Sequence, residues 1–155
     1  RQRQMCIRDS YGIKFDYFHS HKVKKNNKFA QVQKLLMAGR TKFKKLIRLI
    51  IDGIEDVKGN EISLLDLRKL ENRVSDYFII CDGNSNTQVN AIISSVTKKV
   101  SKGLRDKPWG VEGTENAEWV LLDYVDVVVH VFQKEKREFY DLEGLWGDAK
   151  KIELN

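Results

Sequence analysis

Apolar positions recur with helical or strand spacing along residues 42–145, and this pattern predicts the secondary structure. From about Lys42 to Val57 the apolar residues follow the three-four spacing of an amphipathic helix. A second helix is predicted to begin at Ser85 or Asn86 and to end near Leu104; its apolar stripe is Val89, Ile92, Ile93, Val96 and Val100. A last helix is expected from about Lys134 to Leu145.

The predicted strands differ in their patterns. Ile62–Leu67 and Tyr77–Cys81 are nearly continuous apolar runs, as expected for strands that are covered on both faces. A short strand is expected near Trp109–Glu112. Trp119–Tyr124 and Val127–Phe132 are separated by only two residues, which predicts an antiparallel hairpin. The order αββαβββα predicts an α/β fold, with a mixed β-sheet of about five strands and helices packed on its faces.

Charge divides the chain into two parts. Residues 1–48 hold 14 Lys/Arg against 2 Asp/Glu, whereas residues 49–155 hold 14 against 20, so the net charge of +6 comes from the head. We expect residues 1–36 to be a basic head that is disordered or not native, with Met37 as the native start. Residues 37–149 are then the folded domain and residues 150–155 a C-terminal tail. An acidic domain is a poor partner for a phosphate backbone and a reasonable one for a basic protein, so no direct, sequence-specific binding of nucleic acid is expected. Binding of nucleic acid through the basic head stays open as an alternative if residues 1–36 are native.

The remaining composition predicts no cofactor and no membrane span. Cys6 and Cys81 have no metal-ligand spacing, and Cys81 is expected to be a buried thiol in a reducing, cytoplasmic setting. No apolar run approaches the roughly 20 residues that a bilayer requires.

Asp123 and Asp126 are the first candidates for chemistry, because paired carboxylates can hold a catalytic metal ion. They flank a tight turn rather than share a strand, so capping of the hairpin or contact with a partner is the favoured interpretation. The alternative is a small metal-dependent nucleotidyltransferase that uses Asp66, Asp123 or Asp126. Gly83–Ser85 precedes a helix and is interpreted as a simple helix cap.

Histidine and aromatic residues supply the other candidates. His130 alternates with valines on its strand, which favours a hydrogen-bonded core or interface residue. Trp119 shares a strand face with Leu121 and Asp123, so it fits either a docking surface or the core. The full aromatic set near hairpin and loop positions is Trp109, Trp119, Tyr124, Phe139, Tyr140 and Trp146.

Between about Leu46 and Ala149 the chain resembles the ribosomal silencing factor family, also called Iojap-like proteins. The motifs that carry the resemblance occur in one order and at specific spacings: Leu65–Leu67, Asp76–Ile80, Gly83–Ser85, Gln88–Val89, Glu112–Gly113, Trp119–Tyr124, Asp126–Val131, Arg137–Glu143 and Leu145–Asp148. Val125 departs from the pattern, because the family commonly has glycine in this turn.

The resemblance implies a regulator of translation rather than an enzyme. It implies binding to ribosomal protein L-fourteen on the large ribosomal subunit, and steric blocking of the small subunit when nutrients are short. It also implies a homodimer off the ribosome and a nucleotidyltransferase-like core without catalytic acids. Carried over by position, Trp119, Asp123, Tyr124 and Asp126 lie in or beside the partner-binding surface. His130, Tyr140 and Trp146 match family positions whose roles are not divided among docking, dimer contact and core.

Overall fold

A computed structural model describes residues 29–154, with side chains from residue 40, and contains a six-stranded mixed sheet. The strand order across the sheet is β3-β4-β5-β2-β1-β6. The elements in chain order are α1 (Phe29–Asp56), β1 (Asn60–Asp66), β2 (Tyr77–Gly83), α2 (Asn86–Leu104), β3 (Gly110–Glu112), β4 (Trp119–Asp123), β5 (Val127–Gln133), α3 (Lys134–Tyr140), α4 (Leu142–Leu145) and β6 (Lys150–Ile152). The expected mixed α/β architecture is therefore confirmed.

The centre of the sheet is the parallel pair β2 and β5, with Tyr77 opposite Val127 and Gly83 opposite Gln133. Every residue of β2 is buried, in agreement with its continuous apolar run. The predicted β4–β5 hairpin is confirmed, since Trp119 lies opposite Phe132 and Asp123 opposite Val128 in antiparallel register. Cys81 is a buried free thiol, as expected, and burial raises its pKa to about 12.

Helices α1 and α2 pack together on one face of the sheet. Their apolar stripes join the inward-facing residues of β2, β4 and β5 in one core cluster, which includes Ile50, Ile54, Val96 and Val129. Gly53 allows the close approach of the two helices, because a Cβ there would lie 2.8 Å from the Val96 Cα. The Ser85 side chain accepts a hydrogen bond from the Gln88 N–H at 3.2 Å, which confirms the helix-cap interpretation.

The short helices α3 and α4 lie on the opposite face, over a second core cluster that contains Phe78, Trp119, Phe132, Leu142 and Trp146. The sequence predicts one helix from Lys134 to Leu145, but the chain adopts a left-handed conformation at Asp141. The Asp141 side chain then accepts a hydrogen bond from the Gly144 N–H and caps α4. The predicted helix is therefore divided into two.

Two boundaries differ from the predicted ones. The segment 150–155 was expected to be a tail, but Lys150–Ile152 forms β6 and pairs antiparallel with β1, which makes six strands rather than about five. Helix α1 begins at Phe29, so it includes the predicted start at Met37 and the last residues of the predicted head. The rest of that head, residues 1–28, lies outside the described residues. The nucleotidyltransferase-like core stays a prediction.

Candidate partner-binding site

The candidate site residues separate into two groups at opposite ends of β4. Trp119 begins the strand and Asp123 ends it, so the two positions are about 13 Å apart along an extended chain. Around Trp119 lie His130, Phe132 and Tyr140, and we call this group with Trp146 and Phe78 the aromatic end. The turn Asp123–Asp126 and the neighbouring Trp109 form the other group, which we call the hairpin end.

Trp119 is only 2% exposed and belongs to the core of the aromatic end. Its ring stacks on Phe132 with centroids 4.8 Å apart and lies 5.3 Å from the ring of Tyr140. Its indole N–H donates a hydrogen bond to Nδ1 of His130 at 3.2 Å. Of the two interpretations left open for Trp119, the described residues therefore favour the core.

His130 is completely buried in the aromatic end, with its ring centroid 5.9 Å from that of Trp119. Burial lowers its pKa to about 3, because a charged imidazolium would lose its hydration there. The ring is therefore neutral, and because Nδ1 accepts from Trp119, the ring proton lies on Nε2. Phe78 packs edge-on against His130 at 4.6 Å and against Trp146 at 5.5 Å. His130 thus lies in the core, as its valine neighbours predicted, with a hydrogen bond at Nδ1 and no partner for Nε2 among the described residues.

A buried ionic cluster, which the sequence did not reveal, lies beside the aromatic end. The Arg137 guanidinium donates to Asp82 at 2.8 Å, to Glu143 at 2.5 Å and to the Glu61 carbonyl at 2.6 Å. Burial raises the pKa of Glu143, but the hydrogen bonds and charge of Arg137 outweigh this and leave it lowered. The only sequence signal was Asp82 itself, an acid at the end of an otherwise apolar strand, which requires a partner.

Backbone hydrogen bonds hold the turn at the hairpin end. The Tyr124 N–H donates to the Val127 carbonyl at 2.9 Å, and the Asp126 N–H donates to the Tyr124 carbonyl at 3.0 Å. Val125 adopts a left-handed conformation with φ of 73°, a backbone region that favours glycine. The Tyr124 side chain is buried in the core beneath α1 and α2, so it anchors the turn from within.

The two carboxylates of the hairpin end have no cation beside them. Asp123 accepts a hydrogen bond from the Val125 N–H at 2.7 Å, and neither Asp123 nor Asp126 forms an ion pair among the described residues. Partial desolvation raises the pKa of both, and the nearby Asp76 raises that of Asp126 further. Each pKa shift means that the charged form is less favourable here than in water, and a cation from a partner would correct this.

Two exposed apolar side chains accompany these carboxylates at the hairpin end. Trp109 is 60% exposed and Val125 is 54% exposed, although both are large and apolar. They lie at the same end of the sheet, because the Trp109 N–H donates to the Asp123 carbonyl at 2.6 Å. An exposed indole at the same end of the sheet as two partly desolvated acids has the composition of a protein-docking surface.

The described part of the chain offers little for other kinds of site. Among residues 40–154 no three His, Cys, Asp or Glu side chains converge as a metal ion requires. No helix within the described residues has both the length and the apolar character needed to cross a bilayer.

Comparisons with known proteins identify the family to which this α/β domain belongs. The family model "Ribosomal silencing factor during starvation" matches residues 40–155. Ribosomal silencing factor of Halalkalibacterium halodurans is 42% identical over 109 residues, which are 70% of this chain and 92% of that protein. The chain therefore belongs to the ribosomal silencing factor family, and the resemblance drawn from its motifs is confirmed.

Two further comparisons extend this result. A crystal structure of a protein from Chromobacterium violaceum is 40% identical and matches with a TM-score of 0.63, covering 72% of this chain and 90% of that one. A mouse protein named "Mitochondrial assembly of ribosomal large subunit protein 1" is 35% identical over 78 residues, which are 49% of this chain and 34% of that protein. The names of these relatives describe regulation and assembly rather than catalysis.

Proposed function

We propose that this protein binds ribosomal protein L-fourteen on the large ribosomal subunit and sterically blocks association with the small subunit. It thereby represses translation under nutrient limitation, in the cytoplasm and without catalysing a reaction. The observation that carries the proposal is the hairpin end, where Asp123 and Asp126 form no ion pair among the described residues and Trp109 and Val125 are exposed. The mouse relative's name, which refers to the large ribosomal subunit, supports the choice of subunit.

The physical argument begins with charge. Ribosomal proteins are expected to be basic, and a Lys or Arg placed between Asp123 and Asp126 would lower the raised pKa of each. Contact with the partner would also bury the exposed indole of Trp109. Steering by opposite charges increases the rate of encounter, while the apolar contact area supplies most of the affinity.

Trp119 and Tyr124 enter this proposal in a different way from the two acids. Both are buried within the monomer, so we assign them the role of fixing β4 and the turn beneath the docking surface. Asp123 and Asp126 are assigned direct contact with L-fourteen. His130, Tyr140 and Trp146 support the same strand from the aromatic end. The homodimer off the ribosome remains part of the proposal, with no residue assigned to it.

Co-sedimentation with purified large subunits tests the proposed surface. Asp126→Lys should reduce binding at least tenfold, because it places a positive charge against a basic partner. Glu153→Lys is the matched control: it makes the same charge change at an exposed position beyond β6, away from the hairpin end. Equal binding of both variants and the unaltered chain would contradict the surface. A subunit-joining assay with the same three proteins then tests the blocking step.

A further inference from the structure

Helices α1 and α2, which we call the helical layer, carry an uneven distribution of charge that has no role in the proposed function. From Arg40 to Ile51, α1 holds five cations and no acid. From Lys98 to Lys107, the end of α2 and the turn after it hold five cations and one acid, Asp106. The chain from residue 49 onward is acidic overall, so these two segments stand out against the rest of the domain.

Helix packing brings these two segments together. Gly53 approaches Val96, and a Cβ on Gly103 would lie 2.5 Å from Leu49 Cδ1, so the two helices run antiparallel. Lys42 accordingly pairs with Asp106 at 3.0 Å. Six of the exposed cations at this end of the helical layer form what we call the basic face: Lys45, Arg48, Lys98, Lys102, Arg105 and Lys107.

The positive charge of the basic face is not compensated within the described residues. The cations at its border are paired, Lys42 with Asp106 and Lys99 with Asp56, but the six members form no ion pair with any described acid. Lys102 and Arg105 lie at the end of α2, where cations stabilise the helix dipole. That effect does not account for Lys45, Arg48, Lys98 or Lys107.

The side chains that line a cleft beside the basic face indicate which kind of anion this face would bind. Lys98 and Lys107 line a cavity of about 550 Å³ together with the hydroxyl side chains of Ser94, Thr97 and Ser101. Lysine and hydroxyl groups are the side chains that most often contact nucleic-acid phosphates.

We propose that the basic face binds the phosphate backbone of RNA, without regard to nucleotide sequence. Cations spread across two helices suit a chain of regularly spaced phosphates better than a single small anion. Phosphate contacts position a protein but carry no sequence information. On a ribosome the basic face would contact ribosomal RNA, while the hairpin end contacts a ribosomal protein.

The test measures how RNA binding by the full chain depends on salt. Fluorescence anisotropy with a labelled duplex of about 20 base pairs, between about 50 and about 200 mM salt, gives the slope of log affinity against log salt. The test variant is Arg48→Gln with Lys98→Gln and Lys102→Gln. The control, Lys69→Gln with Lys134→Gln and Lys151→Gln, removes the same charge from exposed positions off the helical layer.

We expect the test variant to reduce the slope by about two to three, since each phosphate contact contributes about 0.9. The control should change it by less than one such contact. An equal change in both variants, or no RNA binding by the full chain, would overturn the proposal. A head variant, Lys22→Gln with Lys24→Gln and Lys25→Gln, keeps the basic face intact, so complete loss of the salt slope in this variant would also overturn the proposal. Tighter binding of poly-glutamate than of the duplex would do the same. Urea unfolding of each variant separates lost binding from lost folding.

The result of this RNA-binding test does not depend on the function proposed for the hairpin end. Asp126→Lys leaves all six members of the basic face in place, so it should weaken binding to large subunits while leaving the RNA salt slope unchanged. A change of slope in that variant would contradict the separation of the two surfaces.

Discussion

The two ends of β4 differ in whether their charged groups have partners within the described part of the chain. At the aromatic end the Trp119 N–H has an acceptor in His130, and the charge of Arg137 is matched by Asp82 and Glu143. At the hairpin end the two carboxylates have raised pKa values and no cation partner within the described part of the chain, and apolar side chains are exposed. The charges beside the first end therefore have internal partners, although the buried Nε2 of His130 and Nε1 of Trp146 have no hydrogen-bond partner among the described residues. The carboxylates of the second end are suited to receive a cation from another molecule.

This difference shows that residues of one sequence motif can have separate structural roles. Trp119 and Asp123 are four residues apart and lie on the same strand face, yet one is core and the other is at the surface. Substitutions at the aromatic end should change stability, whereas removing a carboxylate charge at the hairpin end should change binding. The four predictions below test that division, from the largest expected effect to the smallest.

Arg137→Ala should lower the free energy of unfolding by about 3–5 kcal/mol, because it leaves the buried Asp82 without a counter-charge. Urea denaturation followed by circular dichroism measures the effect. Lys134→Ala, at an exposed position in the same helix, is the control and should cost less than about 0.5 kcal/mol. A similar small loss for both variants would mean that the ionic cluster does not stabilise the aromatic end.

Acid should weaken the aromatic end through His130. Its folded pKa of about 3 lies below the ordinary value of 6.5, so the unfolded chain binds the proton more readily. Stability is therefore lost as pH falls from about 6.5 toward about 3, by up to about 1.4 kcal/mol per pH unit. Urea denaturation at several pH values should show that His130→Gln, which cannot titrate, has a flatter dependence.

The hairpin end should respond to acid with the opposite sign. The pKa values of Asp123 and Asp126 are raised in the folded state, so their protonation favours folding as pH falls. Comparing the chain with His130→Gln at each pH isolates the histidine contribution from this opposing one. Parallel pH curves for the two proteins would show that His130 does not contribute.

Val125→Gly should stabilise the chain by about 1 kcal/mol, because it removes a β-branched residue from a left-handed conformation. The larger entropy of glycine in the unfolded chain offsets part of this gain. Thermal unfolding measures the change, with Val125→Ala as the control that keeps a Cβ at the same φ. A gain in the alanine variant equal to that in the glycine variant would assign the effect to side-chain branching rather than to backbone strain.

Asp126→Asn should change stability by less than about 0.5 kcal/mol, since the side chain is exposed and forms no ion pair among the described residues. The same substitution should weaken binding to large subunits, as measured by co-sedimentation. A loss of stability comparable to that of Arg137→Ala would erase the distinction between the two ends of β4.

Apolar spacing and short connections in the sequence predicted the elements whose structure depends mainly on neighbouring residues. The apolar stripe of α2, the continuous run of β2 and the two-residue connection between β4 and β5 were all visible in the sequence. Strand β6 was missed because its three residues are mostly exposed, and only the distant β1 defines its pairing. The break at Asp141 was missed because it depends on one backbone conformation.

The candidate site shows the same limit. The acids of the hairpin end could be predicted, because the turn places Asp123 and Asp126 together through adjacent residues. The contacts of Arg137 with Asp82 and Ser63 join residues 55 and 74 positions apart, and no spacing rule indicates them. The burial of Trp119 depends likewise on Tyr140, which reaches it from another element.

The parallel pairing of β2 with β5 has a consequence for the kinetics of folding. Tyr77 and Val127 are partners at the centre of the sheet, yet α2, β3 and β4 lie between them in the chain. Closing so long a loop costs entropy before any contact is gained, so this pair should form after the β4–β5 hairpin. Its amide protons should accordingly exchange with solvent only when the whole domain unfolds, while those of the turn at Val125 exchange through local opening.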